Sequence, residues 1–284
     1  MTRVTQPRRA AAPVGRHSAP AAPGASLGHL LASEWTKIRS VRSTLWTLIL
    51  LVVVTVGFTA LLSLAVATSW DQARPQQRAA TASDPVATIL GTGITFGQLL
   101  VCVLGVLIIS SEYSTGAIRA SLMAVPRRFP MLAAKALVFA VIMFVAGEVT
   151  AFGSFFAGSA ILHSHAPVAL SDPGVTRSVL GAGLYLTVLG LFAMAIGAIL
   201  RHTAGAISTA IGVVFVLPII AQFLPGSWGQ HIHDYLPSSA GQMITQAHQG
   251  AHQVLTPWQG FAVLCGWTVV LLVVAFYFLQ RRDA

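Results

Sequence analysis

Charge is what this sequence has least of. Only 9% of its 284 residues are Asp, Glu, Lys or Arg, against about 25% in soluble domains. Hydrophobic residues make up 55%, and the mean hydropathy is +0.75. A chain so poor in charge cannot cover a water-facing surface, which excludes a soluble globular protein and implies an integral membrane protein. Cysteine is scarce too: Cys102 and Cys265 each lie inside an apolar run, where a thiol behaves as a small hydrophobe. No disulfide framework or cysteine-based metal site is indicated. Lysine occurs only at positions 37 and 135, and neither follows a glycine loop. A Gly-x-x-x-x-Gly-Lys-Ser/Thr phosphate cradle is therefore absent, and the chain does not itself hydrolyse ATP in that manner. There is no His-Glu-x-x-His zinc pattern either.

What the sequence does have is long apolar runs. Six of them, at about 45–67, 87–109, 136–162, 179–200, 204–223 and 258–279, match the roughly 20 residues a bilayer-crossing helix needs. The expected fold class is an all-α membrane protein with six transmembrane helices. The second run carries Gly93-x-x-x-Gly97, a spacing that permits close helix approach and is read as packing. The third carries Glu148 near its middle. Such an acid costs roughly 2.5 to 3.5 kcal/mol on insertion scales and normally faces protein or water. Glu148 is therefore a candidate for a substrate pathway; the alternative is a protonated group, or one bonded to Thr150 or Ser154, in a packed bundle. Pro218 predicts a kink in the fifth run, with the backbone group it frees satisfied by neighbours.

The formal net charge is +9, yet the basic residues flank the runs instead of clustering on a soluble module. Nucleic acid is not the expected partner; these charges set topology and meet anionic lipid. With the N-terminus inside, fourteen of the 17 Lys+Arg fall on the cytoplasmic side, leaving Arg74, Arg78 and Arg177 outside. That partition selects six spans with both ends in the cytoplasm of a multi-pass cell-membrane protein.

Outside the spans, residues 1–26 are rich in Ala, Pro, Arg and Ser. They read as a disordered basic tail, and no apolar core follows their charges as a signal peptide would require. Residues 27–284 form the six-span domain. From Leu27 a helical pattern places Leu27, Leu31, Trp35, Ile38 and Arg42 on one face with Ser33, Lys37 and Ser40 opposite, as in an amphipathic helix lying along the headgroups. Two outer loops hold His163-x-His165 and His231-x-His233-Asp234, but no clear ligand set, so no metal is expected. The last outer segment, 224–257, is moderately hydrophobic and suggests short helices at the membrane edge.

The stretch that organises these parts runs from Ser110 to Lys135. It is a polar island carrying Arg119, Arg127, Arg128 and Lys135 against Glu112. Ser114 or Thr115 can cap a short helix in which Ile118, Leu122 and Val125 share a face, and Pro126 stops it. Pro130 is tolerable as an opening residue of the next helix. The order Ser-Glu-Tyr-Ser-Thr-Gly, short helix, Val-Pro-Arg-Arg, then a span with an early Lys, resembles the first cytoplasmic loop of the type-2 ABC exporter permeases. Glu112, Thr115, Gly116, Pro126 and Arg127 stand at the matching positions. The segment Glu34-Trp35-Thr36-Lys37 resembles that family's interfacial helix.

The resemblance implies a bacterial membrane subunit that pairs with a separate ABC ATP-binding protein and with a second permease chain, identical or related. ATP and Mg would be bound by that partner, with no cofactor in this chain. The island would be a coupling helix on which the ATPase docks, with Glu112, Tyr113, Thr115, Gly116, Ile118, Arg119, Leu122, Arg127 and Arg128 as contact residues. Glu34, Trp35 and Lys37 would belong to the interfacial helix. Two other readings remain: an anchor or sensory subunit that binds a soluble partner without transport, and a membrane enzyme using Glu148 or the outer histidines.

Overall fold

The structure, a computed structural model, describes residues 27–40, 42–114, 128–249 and 253–281. Among these, ten helices and no strand are found: α1 (Leu27–Ser40), α2 (Arg42–Thr68), α3 (Pro75–Ser83), α4 (Pro85–Ser114), α5 (Arg128–Leu162), α6 (Val175–Leu200), α7 (Thr203–Gln222), α8 (Gly226–Tyr235), α9 (Pro237–Gln242) and α10 (Pro257–Arg281). Helices α2, α4, α5, α6, α7 and α10 are long and apolar enough to cross a membrane, at the six places the apolar runs indicate. The tail 1–26 and the coupling helix expected after Ser114 lie outside the described residues.

The bundle is built around α6, the most enclosed span, which packs on α4, α5, α7 and α10. Lipid tails are as apolar as leucine, so helices associate here through close packing, which small residues permit. A β-carbon on Gly105 of α4 would lie 2.4 Å from the carbonyl oxygen of Gly190 on α6. The Gly93–Gly97 pair does serve packing: β-carbons there would come within 1.9 Å of Thr59 Oγ1 and 2.7 Å of Thr55 Oγ1. Those threonines belong to a buried stripe on α2, Leu51, Thr55, Thr59 and Ser63, repeating every four residues. Most of the remaining α2 surface is exposed or half-buried apolar side chain.

At one end, Asp84 caps α4 by accepting from Ala87 N at 2.9 Å, and its second oxygen accepts from His248 N at 3.3 Å. Arg177 donates to the carbonyls of Gln246 and Ala247, each at 2.9 Å. These bonds fix the segment after α9 over that end of the bundle. The loop between α2 and α4 is more ordered than its polar sequence suggests, with a 3₁₀ turn at Trp70–Gln72 and α3. Pro75 opens α3, where its missing donor costs little, and Gln77 Oε1 accepts from Arg74 N at 3.3 Å.

The disturbance expected at Pro218 takes the form of a π-helical stretch, Gly212–Val216, inside α7. Pro218 has no N–H to offer the carbonyl of Val214, four residues earlier. Ser238 Oγ donates to that oxygen instead, at 2.7 Å, so a neighbour does satisfy the freed group. Between α6 and α7 the turn is as short as its sequence indicates: Arg201 adopts φ 55, and His202 Nδ1 accepts from Gly205 N at 3.1 Å.

Candidate functional site

At the other end of α4, three elements meet: α1, the last turn of α4 and the first turns of α5. Leu30, Glu34 and Ile38 are buried at four-residue spacing, one face of α1. Of the face expected to lie along the headgroups, Ile38 is buried, Leu31 half-buried and Trp35 47% exposed. Glu34 is polar yet turns inward, because a base is waiting there. Lys135 Nζ lies 2.6 Å from Glu34 Oε2 and 2.7 Å from Glu112 Oε1, with only 2% of its side chain exposed. Lys37, on the open side, reaches Glu34 Oε1 at 2.7 Å and Glu112 Oε1 at 3.8 Å. Two acids and two bases thus form an electrically neutral junction.

A buried ammonium with no counter-charge would cost several kcal/mol; here two carboxylates compensate it, and Lys37 balances the surplus acid. Burial alone would raise the Glu34 carboxyl above its ordinary 4.5, but the charges and hydrogen bonds of Lys135 and Lys37 outweigh it and hold the group below that value. Beside the junction a cleft of about 460 Å³ runs along α1, α2 and α4, lined by Ser43, Thr44, Thr47, Lys37, Glu112 and Lys135 among others. Next to Glu112, the Tyr113 ring receives the guanidinium of Arg201 at 5.1 Å, and Arg201 Nη2 donates to Phe278 O at 3.3 Å. The same end of α4 is therefore tied to α1, α5, the α6–α7 turn and α10.

The carboxylate expected to reach outward to a partner, Glu112, is thus occupied within the chain, its side chain only 14% exposed. Arg128 opens α5. Thr115, Gly116, Ile118, Arg119, Leu122 and Arg127 fall outside the described residues. Glu148 lies in α5 against α6, where a β-carbon on Gly183 would meet its Cδ at 2.5 Å. Both its oxygens are buried without a hydrogen-bond partner among the described residues, and Glu148 lines neither polar cleft of the bundle.

A second polar feature was not foreseen. Tyr185 Oη donates to Gln98 Oε1 at 2.6 Å, and Gln242 Nε2 donates to the same oxygen at 3.0 Å. This buried bridge joins α4, α6 and α9, and borders a larger cleft of about 750 Å³. A lone glutamine in an apolar run was the available signal, since such a group must find a partner in protein. Among the described residues no group of three His, Cys, Asp or Glu side chains could hold a metal. His165 instead packs on Trp70 at 5.1 Å.

A family model described as ABC-2 family transporter protein matches residues 30–284. The chain belongs to the ABC-2 transporter family. No curated protein matches it. The ABC-2 match begins at Leu30, a buried residue of α1, and so takes in every charged member of the junction. This ABC-2 protein is a membrane component of ABC transport, with six candidate membrane-spanning helices.

Proposed function

We propose that the chain is the permease subunit of an ATP-driven exporter, working with a separate ATPase subunit and a second permease chain in the cell membrane. Both termini, the junction and residues 115–127 lie on the cytoplasmic side. The observation that carries this reading is the four-charge junction, because it joins α1 to both helices that flank 115–127. A force applied to that segment reaches three elements at once. Arg119 and Arg127 supply polar contact to the ATPase and Ile118 and Leu122 apolar seating, with Thr115 and Gly116 at the start of the docking segment. Glu112 and Tyr113 act as its anchor. ATP and Mg belong to the partner, in keeping with the lack of a phosphate-binding glycine loop in this chain.

The test uses the full chain in its native membrane. A photo-crosslinker at Arg119 is expected to capture a P-loop ATPase, and the reconstituted pair should hydrolyse ATP and move solute out of the cytoplasmic compartment. Glu34→Gln should leave hydrolysis but lower the solute moved per ATP. No ATPase captured, or transport undiminished without one, overturns the reading.

A further inference from the structure

The larger cleft opens between α4, α7, α8 and α9, meeting α4 near its middle at Thr95 and Gln98. Its wall is unusual in kind: Gln98, Gln222, Gln230, Gln242, Gln246 and Gln253 all line it, with Ser238 and Ser239. Among the described residues neither Lys nor Arg contributes to the lining, and Asp234 is its only acid. Asp234 is 7% exposed; His233 Nδ1 lies 3.4 Å from its Oδ1, while Oδ2 is buried with no hydrogen-bond partner among the described residues. An unpaired carboxylate oxygen in such a wall is costly unless something donates to it.

We propose that this cleft is a binding site for a hydroxyl-rich amine, of the amino-sugar class, and that it holds the cargo. As a cargo site it rests on the permease reading; as a binding site it does not. The chemistry follows from the wall. Each glutamine amide both donates and accepts, as each hydroxyl of a polyol does, so the two match without a fixed direction. The carboxylate of Asp234, which lines the cleft, accepts from an ammonium, a charge-assisted bond stronger than the neutral ones around it. With no Lys or Arg among the described lining residues, and with His233 already set against Asp234, a ligand carboxylate, phosphate or sulfate lacks a ready counter-charge and meets Asp234 as a like charge. At about 750 Å³ the cleft falls within the usual range of small-molecule sites, roughly 300–1,000 Å³.

The experiment compares D-glucosamine, D-glucose and D-glucuronate, matched in size and differing in charge, by saturation-transfer NMR on the purified full chain in nanodiscs without any ATPase. Glucosamine is expected to bind about tenfold more tightly than glucose, the worth of one charge-assisted hydrogen bond, and glucuronate to give no signal. In Asp234→Asn, which keeps the side chain's shape, glucosamine should fall to the level of glucose while glucose is unchanged. Glucuronate binding as well as glucosamine, no preference in the wild-type chain, or a preference that survives Asp234→Asn would each overturn the proposal. The wild-type series stands even if the variant does not fold. Because the ATPase is absent, failure here leaves the permease reading intact, and failure to find an ATPase leaves the binding result intact.

Discussion

Lys135 holds two largely buried acids, so its loss is costly. Removing it strands Glu34 and Glu112 together in a buried place, and breaking a buried pair by deleting one partner costs about 3–5 kcal/mol. Lys37 contacts the same two acids, but its side chain is 41% exposed, and exposed pairs contribute about 0–1 kcal/mol. Thermal unfolding of the purified variants should therefore rank Lys135→Met far below Glu34→Gln, and Glu34→Gln below Lys37→Met. In Glu34→Gln the ammonium still has Glu112 at 2.7 Å, which is why the middle rank is expected. Acid offers a second reading of the same contact. The folded Glu34 carboxyl titrates below its ordinary 4.5, so its ion pairs stabilise fully above that value and are lost as pH falls through the lower, folded one. Between about pH 5 and pH 3 the wild type should lose more melting temperature than Glu34→Gln does. An equal loss in both would show that the pair carries no such linkage.

Among the elements, α7 joins a sequence signal to a structural answer. Pro218 inside an apolar run announces a disturbed helix, and the π-helical stretch Gly212–Val216 is that disturbance; what no run of residues could announce is that Ser238, twenty-four positions away, donates to Val214 O. Ser238→Ala should cost about 1–2 kcal/mol by leaving a buried carbonyl unserved. In a Pro218→Ala background residue 218 has an N–H to give Val214 O, so the same change should cost much less. A double-mutant cycle measures the difference, and additive costs would deny that the serine answers the proline. The same contrast explains what was legible elsewhere. The six spans were readable because twenty apolar residues have one use, and Gly93 with Gly97 because a missing side chain means a close neighbour. The burial of Glu34 could not be read from α1 alone because amphipathic counting ranks it as polar, whereas Lys135, a hundred residues on, makes the acid the buried one. The Gln98–Tyr185–Gln242 bridge went unseen for the same reason: its members come from three separate stretches of chain.

At the scale of the molecule, two polar regions lie towards opposite ends of an apolar bundle, and α4 connects them. Gln98 at the amide-lined cleft and Glu112 at the charged junction stand about four turns apart on that one helix, roughly 21 Å. A helix packed on α2, α5, α6 and α7 moves as a rod, so displacement at Glu112 is felt at Gln98. This arrangement has meaning for transport only if the two ends face different compartments, and the proposed orientation, argued from the distribution of basic residues, puts the junction inside. Cysteine labelling tests the assignment directly. In a background with Cys102 and Cys265 replaced by alanine, a cysteine at the exposed Trp228 or Gln230 of α8 should react with a membrane-impermeant maleimide in intact cells. A cysteine at Ser111, exposed beside the junction, should react only after the membrane is opened. The reverse pattern would put the junction outside, beyond the reach of any cytoplasmic ATPase, and would remove the physical basis of the export mechanism while leaving the family assignment untouched.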